Sequence, residues 1–285
     1  MAVNEPPSDR PDNPSPVVYA RPIVSTRPPL PPRPLELPTV DRLSALIDLS
    51  LIVLFAFVTF LALPVVFGVA WGLSVGKPTI EATQILIIVE KWMDVPLAVG
   101  FIVFLLWRNR MGAAAFGLRT DRPAAQTGWG FLTLGGVYVA FFGSAIVTGI
   151  LVMMIPGLQQ DLLNRGDFLE MMPVHNLARS VLLLIPVALH EELAFRGLLI
   201  PYLKRLGCGW IGAITISSFV FALLHIGQGW LGVIQIFSVG VAFGVFFVLS
   251  RSLVAVIIAH FLFDLIQFQV IRWMQPVLDE FAGNA

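Results

Sequence analysis

Seven stretches of this chain are each apolar over about 20 residues or more, the length a helix needs to cross the hydrocarbon core of a bilayer. They run at 44–72, 84–107, 128–155, 177–203, 209–227, 230–249 and 252–273. Inside a bilayer every backbone N–H and C=O must be paired within the protein, which leaves helices and closed barrels. No two-residue alternation of apolar and polar side chains competes, so an α-helical bundle is expected. Composition agrees: 57% of residues are hydrophobic and 13% charged, whereas a soluble domain is nearer a quarter charged. The second stretch is the least apolar, because Glu90, Lys91 and Asp94 fall in its first half. They read as a frayed or interfacial helix start, and Asp48, near the cytoplasmic end of the first stretch, as a group that reaches solvent.

Lys and Arg in the short loops set the orientation. With the N-terminus in the cytoplasm, 12 of these residues fall inside, from Arg10 to Arg251, and 5 outside: Lys77, Lys91, Arg165, Arg179 and Arg272. Arg196 is left within the bilayer. Every inside loop agrees with seven crossings, N-terminus in and C-terminus out. The segment from Pro156 to Asn176, with Asp161, Asp167 and Glu170, then becomes an exterior loop. Residues 1–39 hold 12 of the 21 prolines and read as a disordered, partly polyproline-II cytoplasmic tail, a spacer or a docking peptide for a proline-recognising partner. No apolar core follows a short basic start there, so the first apolar stretch is expected to stay as an anchor. Residues 40–285 form the helical membrane domain.

Several classes of function fall away. Lys+Arg and Asp+Glu balance at 18 each, which gives no basic field for nucleic acid. Cys208 is the single cysteine, so no intramolecular disulfide and no CxxC site can form. Haem-attachment and phosphate-binding loop motifs are absent. Ser144, in Gly143-Ser144-Ala145, lacks the surroundings of a serine nucleophile.

What remains are charges in places where charge is expensive. Even on lenient insertion scales a charged side chain at the centre of a spanning helix costs about 2.5–3.5 kcal/mol. The fourth stretch nevertheless carries His190-Glu191-Glu192 and Arg196. Glu192 and Arg196 are four apart and can pair on one helix face. Glu191 is turned by about 100° from Glu192, which leaves it the freer carboxylate. His190 reads as a packed neighbour of this pair, and Pro186 as a kink that opens room for water. The fifth stretch carries Phe221 and His225, and the seventh His260 and Asp264, again four apart. Counted at about 1.5 Å per residue from the cytoplasmic helix ends, Glu191, His225, His260 and Asp264 lie roughly 12–24 Å deep. One shared polar cavity is the simplest explanation. Gly240 and Gly244 form a GxxxG pattern, read as packing within the bundle. Trp107, Trp129, Trp210, Trp230 and Trp273 sit at stretch ends as an aromatic belt would.

The three motifs Glu191-Glu192-x-x-x-Arg196, Phe221-x-x-x-His225 and His260-x-x-x-Asp264, in this order on separate apolar helices, resemble the CPBP family. These are the CAAX-protease and bacteriocin-processing membrane proteases. Phe116-Gly117-Leu118-Arg119 resembles a further family segment, and the likeness is strongest over 177–273. The resemblance implies an intramembrane endopeptidase acting on a membrane-associated protein or peptide in the cell membrane. Glu191 would act as general base on a water with His225, and His260 with Asp264 would hold the oxyanion. Glu192 and Arg196 would organise the site, with Phe221 in support. The cofactor is either none or a divalent metal such as Zn²⁺ held by Glu191, His225 and His260. The zincin pattern HExxH is absent, since Ala194 stands at its second histidine. Asp264 stands where the eukaryotic CAAX proteases usually have Asn, and an aspartate donates a hydrogen bond only when protonated. Two other functions use the same residues. A non-catalytic immunity or partner-binding protein could inherit the site without its activity. A proton-coupled transporter would use buried Glu, His and Asp as a relay, but the paired discontinuous helices of such folds are missing.

Overall fold

The computed structural model describes residues 35, 37, 40–75, 79–119, 121–155, 157–158 and 171–283, with side chains described as far as Met274. The proline-rich stretch 1–39 lies outside these residues except for Leu35 and Leu37. Both are buried, and the Leu35 N–H donates to the Ala114 carbonyl. Most of the loop between Pro156 and Asn176, including Asp161, Asp167 and Glu170, also lies outside them.

Local chemistry starts and stops the helices. Helix α1 (Arg42–Phe57) begins at Asp41, whose carboxylate accepts from the Ser44 N–H at 2.9 Å and the Ser44 hydroxyl at 2.7 Å. A π-helical turn, Val58–Ala62, joins it to α2 (Leu63–Val75). Thr79 caps α3 (Ile80–Arg108), and Pro123 opens α4 (Pro123–Met154) at a position where its missing N–H costs nothing. Asn176 caps α5 (Leu177–Glu192), which runs on through Pro186. There the chain changes winding: Leu193–Leu199 is π-helical, α6 (Ile200–Leu203) is short, and Lys204–Cys208 is π-helical again. Gly207, at φ 109°, and Gly209, at φ 64°, bend the chain where a side chain would be strained. Helix α7 (Gly209–Leu223) then folds back, so that Ser217 donates to the Phe195 carbonyl at 2.8 Å. Helices α8 (Gly229–Ser250) and α9 (Leu253–Gly283) follow, and no strand occurs among the described residues.

Among the described residues, five helical stretches are long and apolar enough to cross a membrane: Arg42–Ser74, Pro123–Met154, Leu177–Leu223, Ile226–Ser250 and Leu253–Met274. Many large apolar side chains on them, among them Val139, Ile146 and Ile211, are exposed outward, as lipid-facing positions require. The chain is an integral membrane protein of helices. Length and apolarity yield five stretches rather than seven for two reasons. The expected spans 177–203 and 209–227 form one helical run that turns back at Gly207. Helix α3 carries Glu81, Glu90, Lys91, Asp94 and Arg108, too many charges for the apolarity test.

Two polar expectations change. Asp48 does not reach solvent: it is 0% exposed and accepts from Arg108 Nε at 2.9 Å, Asn109 Nδ2 at 2.7 Å and the Tyr202 hydroxyl at 3.0 Å. Glu90 and Asp94 are not a frayed helix start but are buried, with Lys91 Nζ bridging them at 3.0 and 3.1 Å. A carboxylate can stay inside when donors from other helices replace its water. The GxxxG pair packs inside the molecule. A Cβ on Gly240 would lie 3.2 Å from the Ser218 Cβ, and one on Gly244 would lie 2.8 Å from Ile214 Cγ2, both on α7.

Candidate active site

Four segments build the site: the end of α5 with its π-helical continuation, the end of α7, the middle of α8 and the first half of α9. Glu192 is the last α-helical residue of its run. The following π turn changes the spacing of a regular helix, yet Arg196 Nη1 still reaches Glu192 Oε1 at 2.8 Å. Arg196 Nη2 donates to the Gly240 carbonyl at 3.2 Å. Its guanidinium lies over the rings of Phe221, at 4.6 Å, and Phe243, at 5.2 Å. A buried cation is thus covered by a carboxylate, a carbonyl and two aromatic faces.

His260 joins the acids. Its Nδ1 lies 2.7 Å from Glu192 Oε1, and its Nε2 lies 3.2 Å from Asp264 Oδ2 and 3.7 Å from Glu191 Oε2. An ionised Glu192 only accepts, so it takes the Nδ1–H and fixes the ring with Nε2 facing Glu191 and Asp264. Phe243 stacks on the ring at 5.0 Å, and Phe221 meets it edge-on at 6.3 Å. The accessible part of the cluster is acidic: the side chains of Glu191 and Asp264 are 14% and 26% exposed, whereas that of Glu192 is 0% exposed.

His225 sits just past the last residue of α7, in the turn before α8, rather than inside a span. Its Nδ1 is 2.8 Å from the Phe221 carbonyl. A carbonyl only accepts, so Nδ1 carries the proton in the neutral ring and Nε2 keeps a lone pair. Phe221 touches His225 edge-on at 4.8 Å and also meets His260, so one ring packs against both imidazoles. His225 and His260 are the imidazoles within electrostatic reach of Glu191.

The structure therefore brings together Glu191, Glu192, Arg196, Phe221, His225, His260 and Asp264. Among the described residues no three acid, imidazole or thiol groups converge as they would around a metal ion. Both nitrogens of His260 face carboxylates instead of a common point. Ser144 donates to the Phe141 carbonyl within its own helix and takes no part in the site.

Some contributors were not legible. Gly240 serves through its carbonyl, which no side-chain motif encodes, and Phe243 through its stacking on His260. The Phe116-Gly117 segment braces the site from behind. Phe116 is buried, Gly117 turns at φ 75°, and its carbonyl accepts from the Leu253 N–H at 2.8 Å, which anchors the start of α9.

Residues 173–266 match a family model described as Type II CAAX prenyl endopeptidase Rce1-like. The match covers every motif residue from Glu191 to Asp264 and is consistent with a CPBP-family intramembrane protease. No curated protein and no solved structure matches the chain.

Proposed function

We propose that this protein is a CAAX-protease-like intramembrane endopeptidase of the glutamate type, cleaving a membrane-associated protein or peptide. One observation carries the reading: two adjacent glutamates stand in opposite situations. Glu192 is buried and bonded to Arg196 and His260, while Glu191 is partly exposed and faces His260 Nε2.

In this reading Glu191 takes a proton from a water as the water oxygen attacks the scissile carbonyl carbon. The carbonyl oxygen becomes the oxyanion and is stabilised by the Nε2–H of a doubly protonated His260, whose Nδ1–H Glu192 holds and whose charge Glu192 and Asp264 balance. The tetrahedral intermediate collapses as the C–N bond breaks, and the proton taken from the water passes to the leaving nitrogen. His225, with its Nε2 lone pair, orients the water and relays that proton. Arg196 neutralises Glu192, so the second carboxylate does not repel the developing oxyanion. No step passes through a metal. The Lys and Arg distribution supports a cell-membrane protein with its N-terminus in the cytoplasm.

The test maps new peptide termini in host membranes carrying the wild-type protein or Glu191→Gln at equal abundance. Loss of a general base lowers turnover by about 10²–10⁴-fold, so termini made by the wild type should disappear from the variant. Identical termini in both would overturn the proposal.

A further inference from the structure

Successive side chains on a helix point about 100° apart, so His190, Glu191 and Glu192 leave α5 in three directions. Glu192 is pinned on one side by Arg196 and His260. His190 is pinned on the other. It is 1% exposed, and its Nε2 lies 3.1 Å from the Thr59 hydroxyl oxygen. That hydroxyl already donates to the Phe55 carbonyl at 3.1 Å, so it accepts from His190, and Nε2 carries the proton. Nδ1 then faces Asp94 Oδ2 at 3.7 Å. Phe60 stacks on the ring at 4.3 Å and also packs against Phe195. Helix α3, which supplies Asp94, is strapped to α5 at further points. Trp92 Nε1 donates to the Leu182 carbonyl at 2.8 Å, and Arg179 pairs with Glu81.

Glu191 stands between these two pinned neighbours, one residue before the last α-helical residue of its run. Beyond Glu192 the winding is π-helical, so the ordinary i→i+4 ladder does not continue past this turn. Thr59 and Phe60 belong to the other π turn, Val58–Ala62, which brings both side chains against His190. A buried polar cluster adds little stability over well-packed apolar side chains; what it supplies is a direction.

We infer that His190, held by Thr59 and stacked on Phe60, is a positioning residue that sets the direction of the Glu191 side chain toward His260 and His225. The inference rests on the catalytic reading of Glu191 given above, and it adds the Val58–Ala62 turn to the parts that serve the site.

The test has two arms on the full chain. The first needs no activity. With Cys208→Ser as background, Glu191→Cys is labelled by a charged thiol reagent in liposomes, alone and combined with His190→Leu, His190→Gln or Thr59→Val, which removes the acceptor of His190. If His190 sets the direction of position 191, His190→Leu changes the labelling rate about tenfold or more, since a misplacement near 1 Å can cost an oriented reaction about 10²-fold. His190→Gln keeps a donor for Thr59 and should return the rate to within about threefold of the reference. Equal rates in all combinations, or a change that only tracks a lower unfolding temperature, would overturn the inference. If His190→Leu does not fold, Thr59→Val carries the arm on the same criteria. The second arm counts Glu191-dependent peptide termini in membranes. His190→Leu should lower them about 10–10²-fold at equal folded abundance, with His190→Gln restoring most of them. Shifted labelling with no Glu191-dependent termini in the wild type would support the positioning and overturn the protease. Glu191-dependent termini with unchanged labelling would do the reverse.

Discussion

Arg196 Nη1 and His260 Nδ1 both donate to one oxygen of Glu192, at 2.8 and 2.7 Å, inside a side-chain shell closed to solvent. Removing one member of a buried charge pair leaves the other uncompensated and costs about 3–5 kcal/mol. Arg196→Ala should therefore lower the unfolding temperature in detergent strongly. Arg196→Lys should recover only part, because an ammonium cannot serve Glu192 and the Gly240 carbonyl as a fork or lie flat on Phe221 and Phe243. Glu191→Gln should leave the unfolding temperature nearly unchanged while ending cleavage, since its contact with His260 is long, at 3.7 Å, and His260 keeps its shorter contacts to Glu192 and Asp264. Equal thermal losses for Arg196→Ala and Glu191→Gln would contradict this division of labour. The pairs at this scale were readable because Glu192 with Arg196, and His260 with Asp264, are four apart. The state of Asp48 was not readable, because its hydroxyl donor, Tyr202, is 154 positions away.

Between helices, one close seam runs along α8 and α7. Gly240 lets the two backbones approach and at the same time offers its carbonyl to Arg196. Gly240→Val would push α8 away and break that bond, with overpacking alone costing about 1–3 kcal/mol. Gly143→Val on α4 is the control, since nothing lies within 4 Å of its added Cβ. The expected result is lower thermal stability and lower cleavage for Gly240→Val and wild-type behaviour for Gly143→Val. Comparable effects of both would show that the seam is not what matters. At the start of α1, the Ser44 N–H and hydroxyl hold the exposed Asp41 carboxylate below its usual range. A depressed folded pKa gives stability that is present above the unfolded value of about 3.9 and is lost as pH falls through the folded value. Amide exchange at Ser44 should therefore quicken below pH of about 3.9, and Asp41→Asn should remove the dependence. Most helices were legible from apolar length. The π turns at Val58–Ala62 and Leu193–Leu199 were not, because segments apolar on all sides carry no periodicity from which a change of winding could be read.

Across the whole chain, buried polar groups connect helices that are distant in sequence. One group is the acid and imidazole cluster of the site. A second is Glu90, Lys91 and Asp94 with His190 and Thr59, and a third joins Asp48 to Arg108, Asn109 and Tyr202. The motifs of the first could be seen in the sequence because they fall in strongly apolar surroundings. The second was misread as a helix end for the same reason that α3 fails the apolarity test: its charges look solvated until α5 is placed beside them. The third ties α1, α3 and α6 together and makes a prediction of its own. Asp48→Ala removes the acceptor for three donors. The partly exposed side chain of Arg108 can turn toward water, and Asn109 keeps its bond to the Leu105 carbonyl. Tyr202 is 0% exposed, so its hydroxyl still accepts from Asn109 Nδ2 at 3.2 Å but its proton is left without an acceptor or solvent. A buried polar group deprived of its partner costs about 1–3 kcal/mol, and removing both partners costs less. Asp48→Ala should thus lower the unfolding temperature, and adding Tyr202→Phe should recover part of the loss. Tyr202→Phe alone should be mildly destabilising. Strictly additive losses in the double variant would mean that the Asp48–Tyr202 bond does not hold α1 to α6.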